Sequence, residues 1–174
     1  MQIEHLIRPT LQLDDAPRTW SWRTVYASGV APLSRFDDLF ARLLSAQGRT
    51  RTAWTVEAFG WLILAEGALM LLAPAFVASL LHLPAFAGNG ENYFRLAGVL
   101  VSGIGMLYVV SGRLNAEGFM FGSLLDRPLV PPLMFVLWYS GVLPGPLALI
   151  FSIQDFGSFL WTLFTWRGEL RSER

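Results

Sequence analysis

The apolar positions of this chain do not recur as one face of a soluble helix; they run on almost unbroken in four stretches, residues 54–73, 94–112, 129–143 and 147–166. A hydrocarbon core of ~30 Å calls for about twenty apolar residues in a helix that satisfies its own backbone. The pattern therefore predicts an all-α fold, an integral membrane four-helix bundle. The third stretch is short and opens with Pro131 and Pro132, which a first helical turn tolerates. Pro74 ends the first stretch. Residues 75–83 are too few to cross again, so they are expected as a helix in the outer interface, closed by Pro84. The Gly88, Asn89, Gly90 turn follows, and Pro144, Gly145 and Pro146 make the second outer turn. Residues 113–127 are expected as a cytoplasmic loop held at the interface by Phe119, Met120, Phe121, Leu124 and Leu125.

The pattern changes in the first fifty residues, which form a separate cytoplasmic arm ahead of a transmembrane domain, 51–174. From Arg35 to about Gln47, Phe36, Leu39, Phe40, Leu43 and Leu44 share one helical face, with Arg35, Asp37, Asp38 and Arg42 on the other. Ser34 is the expected N-cap, Asp37 stands three positions on, and Gly48 is the stop. This is an amphipathic helix suited to the membrane interface or to a partner, with packing on the protein's own loops as the plainer alternative. Before it, Thr19 to Tyr26 alternates so that Trp20 and Trp22 fall on one side of an extended segment. Those rings suit either the headgroup layer or a docking partner. Met1 to Asp15 lacks the apolar core of a signal peptide.

Charge settles the orientation. All thirteen basic residues are arginine, balanced by thirteen acidic ones, which removes any global electrostatic case for a nucleic-acid partner. Arg35, Arg42, Arg49, Arg51, Arg113, Arg127, Arg167, Arg171 and Arg174 all fall on one side of the four spans. The positive-inside rule makes that side the cytoplasm, with both termini there and the bacterial inner membrane as the expected location. Hydrophobic residues make up 53% of the chain, which excludes an ordinary soluble domain. Cysteine is absent, so disulfides, iron–sulfur clusters and thiol nucleophiles are excluded.

Ionisable groups inside spans are the default functional candidates, because each costs several kcal/mol or so unless paired or wetted. Glu66 and Asp155 come out at nearly the same depth, and Arg95 enters from outside, within snorkelling reach. The expectation is a Glu66, Arg95, Asp155 cluster, working as a proton or ligand site or only as a register-fixing ion pair. Along the fourth span Ser152, Asp155, Ser158, Thr162 and Thr165 recur as a polar stripe, facing a neighbouring helix or water. The two histidines, His5 and His82, lie near opposite surfaces, so bis-histidine haem inside the bundle is excluded. His82 alone is a weak candidate for a pigment ligand at the outer interface. No Ser-His-Asp, P-loop or zinc motif occurs, so neither an enzyme nor a metal site is expected.

The run PAFVASLLHLP, then YFRLAGVLVSGIGMLYVVSGRLN, then LPGPLALIFSIQDFGSFLWTLFTWR resembles small bacterial four-helix membrane proteins without settled activity, loosely grouped as the DoxX-like superfamily. The resemblance spans about residues 55–167. It would align Arg95, Gly112 to Asn115, Asp155 and Trp161 to Thr162 with that pattern. It implies a four-helix membrane fold and transfers no reaction. The resulting expectation is a non-catalytic accessory or structural subunit of a larger membrane complex, contacting lipid and other subunits. A small transporter or proton-linked carrier using Glu66, Arg95 and Asp155 is the alternative, and a redox or quinone-handling protein the third. No cofactor is required; bound lipid is expected, and pigment or quinone stays open.

Overall fold

A computed structural model describes residues 32–45 and 48–172. Its elements, in chain order, are α1 (Pro32–Ser45), α2 (Arg51–Leu72), the short α3 (Pro74–Leu80), α4 (Gly90–Arg113), α5 (Glu117–Asp126), a 3-10 turn over Arg127–Leu129, α6 (Val130–Tyr139) and α7 (Gly145–Ser172). Four helical segments are long and apolar enough to cross a membrane: Arg51–Leu72, Gly90–Arg113, Glu117–Tyr139 and Gly145–Ser172. This is a multi-pass, all-helical membrane bundle, and no strand occurs among the described residues. The Trp20–Trp22 segment and His5 lie outside the described residues.

The third span corrects the sequence reading. It starts at Glu117 and runs through the 3-10 turn to Tyr139, not from 129 to 143. The reason is local: Phe119 to Leu125 is apolar enough to continue a helix, and Pro128, Pro131 and Pro132 break the regular hydrogen bonding without ending the rod. Arg127 is thus carried into the bundle and does not belong to a loop.

The tightest packing joins α2 to α4, and its cause is a repeat of small residues. Ala53, Gly60 and Gly67 on α2 fall seven apart, as do Gly98, Gly105 and Gly112 on α4, and the antiparallel helices meet pair by pair along that seam. A Cβ at Gly67 would sit 2.4 Å from the Ser102 amide nitrogen, one at Gly105 2.4 Å from that of Leu64, and one at Gly112 2.7 Å from the Ala53 carbonyl. The backbones are in contact, as small residues permit in lipid. Gly103 faces open space, whereas Gly112 belongs to the seam. By contrast α6 packs mainly on α7, and the third span touches α2 and α4 only lightly.

Helix ends are closed locally. After α3, His82 adopts a left-handed conformation (φ 54°), with its N–H bonded to Ser79 O and that of Leu83 to Ala78 O. Asn115 (φ 53°) does the same after α4, bonding Gly112 O while Ala116 bonds Ser111 O. Both are double hydrogen-bonded helix terminations built on a left-handed residue. At the start of α2, Thr50 accepts from the Ala53 N–H at 3.0 Å. The carboxylate of Glu169, from the far end of α7, accepts from the Thr52 hydroxyl at 2.5 Å and from the Arg51 and Thr52 amides. A side chain 117 positions away thus satisfies the first turn of α2.

Helix α1 begins at Pro32, so Ser34 lies inside it and is not the N-cap. Its apolar side chains Phe36 (65% exposed), Leu39, Phe40 and Leu44 are uncovered, and Leu43 is half-buried. No loop among the described residues covers that face.

Candidate functional site

Three polar layers cross the interior, and the sequence anticipated only part of them. At the arginine-rich end, Glu57 is 4% exposed within α2 and receives hydrogen bonds from Arg113 Nε (3.0 Å), Trp61 Nε1 (3.2 Å) and Arg49. One buried carboxylate between two guanidiniums is a charge-assisted clamp. Arg113 also donates to Leu43 O at 2.9 Å, so the clamp holds the end of α1. The Asn115 side chain pins the loop before α2, donating to Gly48 O and accepting from the Thr50 N–H. Glu57 was absent from the candidate residues because it sits six residues into its helix, close to Arg51, and reads in sequence as part of the charged margin.

The middle layer centres on Arg127, which is 0% exposed. Its Nη1 donates to Thr162 Oγ1 at 3.1 Å, and Thr162, itself fully buried, shares a 3.0 Å hydrogen bond with Thr55 of α2. The guanidinium lies over the ring of Phe59 at 4.1 Å and that of Tyr108 at 5.0 Å, so all four spans meet on one cation. Its Nε and Nη2 have no hydrogen-bond partner. Tyr108, Asp155 and Asp126 are its electrostatic neighbours.

The third layer contains the predicted carboxylates. Glu66 accepts from Gln154 Nε2 of α7 at 3.1 Å. Asp155 is half-buried and interacts electrostatically first with Arg127, then with Asp126 and Glu66. Arg95 does not join them: it bonds Glu91 one turn earlier at 2.8 Å and the Leu71 carbonyl at 2.6 Å, closing the opposite end of the α2–α4 pair. The expected cluster is therefore replaced by Glu66, Gln154, Asp155 and Arg127. Sequence counting placed Arg95 at an edge and let it reach inward; a nearer carboxylate on its own helix face takes it instead.

The polar stripe on α7 also divides. Ser152, Ser158 and Thr165 bond carbonyls of their own helix, Ala148, Asp155 and both Trp161 and Thr162 respectively. Thr162 alone among them joins neighbouring spans. His82 is an exposed helix terminator, and no group of three metal-ligating side chains occurs among the described residues.

No protein family, curated protein or solved structure matches this chain.

Proposed function

We propose that this multi-pass membrane protein is a non-catalytic accessory subunit of a larger membrane complex. The observation that carries the reading is Asp126, the tenth residue of the 23-residue third span, which faces away from the bundle. Around it Phe121, Leu125 and Leu129 are exposed, and Gly118 and Gly122 have open space where a Cβ would go. A carboxylate presented to lipid at this depth costs about 2.5–3.5 kcal/mol. A neighbouring helix approaching over the two glycines removes that cost. The other interior polar groups fasten spans to one another, which fits a structural part. The one end of the bundle that carries Arg49, Arg51, Arg113, Arg167 and Arg171 belongs on the cytoplasmic side of a bacterial inner membrane by the positive-inside rule. The resemblance to DoxX-like proteins supports the four-helix reading and adds no activity.

Extraction from native membranes in mild detergent tests the proposal. The chain is expected to migrate well above a detergent-bound monomer, and Gly122→Trp is expected to bring it down to monomer size with helicity unchanged. A wild-type monomer overturns the reading.

A second reading, a small proton-linked carrier, is favoured by the Glu66, Gln154 and Asp155 layer beside the buried Arg127. Vesicles loaded with a pH-sensitive dye check it. Proton uptake that is lost in Glu66→Gln and Asp155→Asn supports a carrier, and uptake equal to that of empty vesicles dismisses it.

A further inference from the structure

We propose that the cleft between the start of α2 and the end of α7 is a specific site for one anionic glycerophospholipid. The cleft has a volume of about 550 Å³ and is lined by Arg51 of α2 and by Phe164, Thr165, Gly168, Glu169 and Ser172 of α7. Gly168 keeps it open, since a Cβ there would meet nothing within 4 Å. Arg51 supplies the charge: it is exposed, and its guanidinium has no acceptor among the described residues. The backbone N–H groups of Arg51 and Thr52 are already spent on Glu169. Both oxygens of that carboxylate are engaged by the first turn of α2, the second by the Thr52 hydroxyl, so the charge left without a partner in the cleft is the positive one. Arg171, seven residues beyond Phe164, falls on the same face of α7 and adds a second cation to this side.

Depth supplies the ligand class. Arg51 opens a membrane-spanning segment, and Phe164 stands eight residues before Ser172, about 12 Å farther into the span. The cleft therefore runs from headgroup level at Arg51 and Ser172 to acyl level at Phe164, which is 66% exposed. One turn deeper the exposed rings of Trp54 and Trp161 meet edge to face, as aromatic side chains do at the boundary between headgroups and hydrocarbon. A free phosphate would fill only the mouth, whereas a phospholipid occupies both levels. At the mouth the Ser172 hydroxyl donates to the Glu169 carbonyl at 2.8 Å, so its oxygen is left to accept. A phosphoglycerol head meets both needs, its phosphate accepting from Arg51 and its hydroxyl donating to Ser172. A choline head brings neither net charge nor donor. Basic clefts between spans on the inner side of a membrane hold anionic heads in this way. The site is independent of the accessory-subunit and carrier readings, because the isolated chain carries all of it.

The full-length protein in mild neutral detergent, titrated with phosphatidylglycerol or with phosphatidylcholine of the same acyl chains, provides the test. Native mass spectrometry counts the bound lipid and the thermal midpoint reads its effect. One phosphatidylglycerol per chain is expected to remain bound and to stabilise saturably, and phosphatidylcholine is expected to do neither. Glycerol 3-phosphate, a head without chains, is expected to leave the midpoint unmoved. Arg51→Gln is expected to bind phosphatidylglycerol about fivefold more weakly, the worth of one arginine at an anionic head. Gly168→Trp fills the cleft and is expected to lose the bound lipid, while Gly157→Trp, at another open position of α7, keeps it. A lipid-free midpoint near that of the wild type shows that each variant folds, and if Gly168→Trp does not, Arg51→Gln decides alone. Equal protection by both lipids, protection by glycerol 3-phosphate, or undiminished binding in Arg51→Gln overturns the site.

Discussion

The two halves of the bundle are held together in different ways. Between α2 and α4 the fit is steric: glycines and one alanine bring backbones into contact along the whole seam. Between α7 and α2 the fastening is chemical, through Glu169 with Thr52, Thr162 with Thr55, Trp161 edge-on to Trp54 at 5.3 Å, and Gln154 with Glu66. Most of the remaining surface of the third and fourth spans is exposed, from Phe121 to Phe164. In lipid there is no hydrophobic drive between helices, so close packing or hydrogen bonds must supply the association. The contrast teaches that one half is a closed unit and the other is an adaptable surface around a buried cation.

Substitution at the glycines breaks this contrast most severely. Gly105→Leu places a side chain against the Leu64 backbone, which cannot yield, and is expected to exceed the ~1–3 kcal/mol usual for overpacking. Gly157→Leu on α7 meets open space and is expected to cost under about 0.5 kcal/mol. Reversible unfolding in mixed micelles compares the two, and equal losses would erase the distinction. Next in size is Glu57→Ala, which leaves Arg49 and Arg113 without their shared carboxylate. A loss of about 3 kcal/mol is expected, together with faster amide exchange across residues 36–45 as the end of α1 is released.

Thr162→Val keeps the volume but removes the acceptor for Arg127 and the partner of Thr55. About 1–2 kcal/mol should be lost, and the effect should fall well below that of Gly105→Leu if hydrogen bonds are the weaker fastening. The smallest loss is expected for Glu169→Gln, about 1 kcal/mol, the scale of a helix cap. Amide exchange at Arg51 to Ala53 reads it directly.

Much of this was legible beforehand. The number of spans, the amphipathic α1 and the depth match of Glu66 with Asp155 follow from residue spacing alone. The role of Arg127 was not, because an arginine followed by proline after an acidic residue looks like a loop when only hydropathy is weighed. Glu57 was hidden for a related reason: a carboxylate near a charged margin gives no sign that two arginines from other segments converge on it. Arg95 reaches outward and not toward Glu66 and Asp155 because Glu91, one turn away on its own helix, is the nearer carboxylate.

What the sequence determined by itself is the solvent: four apolar runs with arginines at one side can satisfy their backbones in lipid only as helices. What tertiary structure decided is which polar groups share the interior. Hydropathy and period are properties of neighbouring residues, whereas the meeting of Arg127 with Thr162, Phe59 and Tyr108 depends on how four helices turn about their axes. That rotation is set by the small-residue seam and by side-chain competition across the bundle, and no single stretch of chain encodes it.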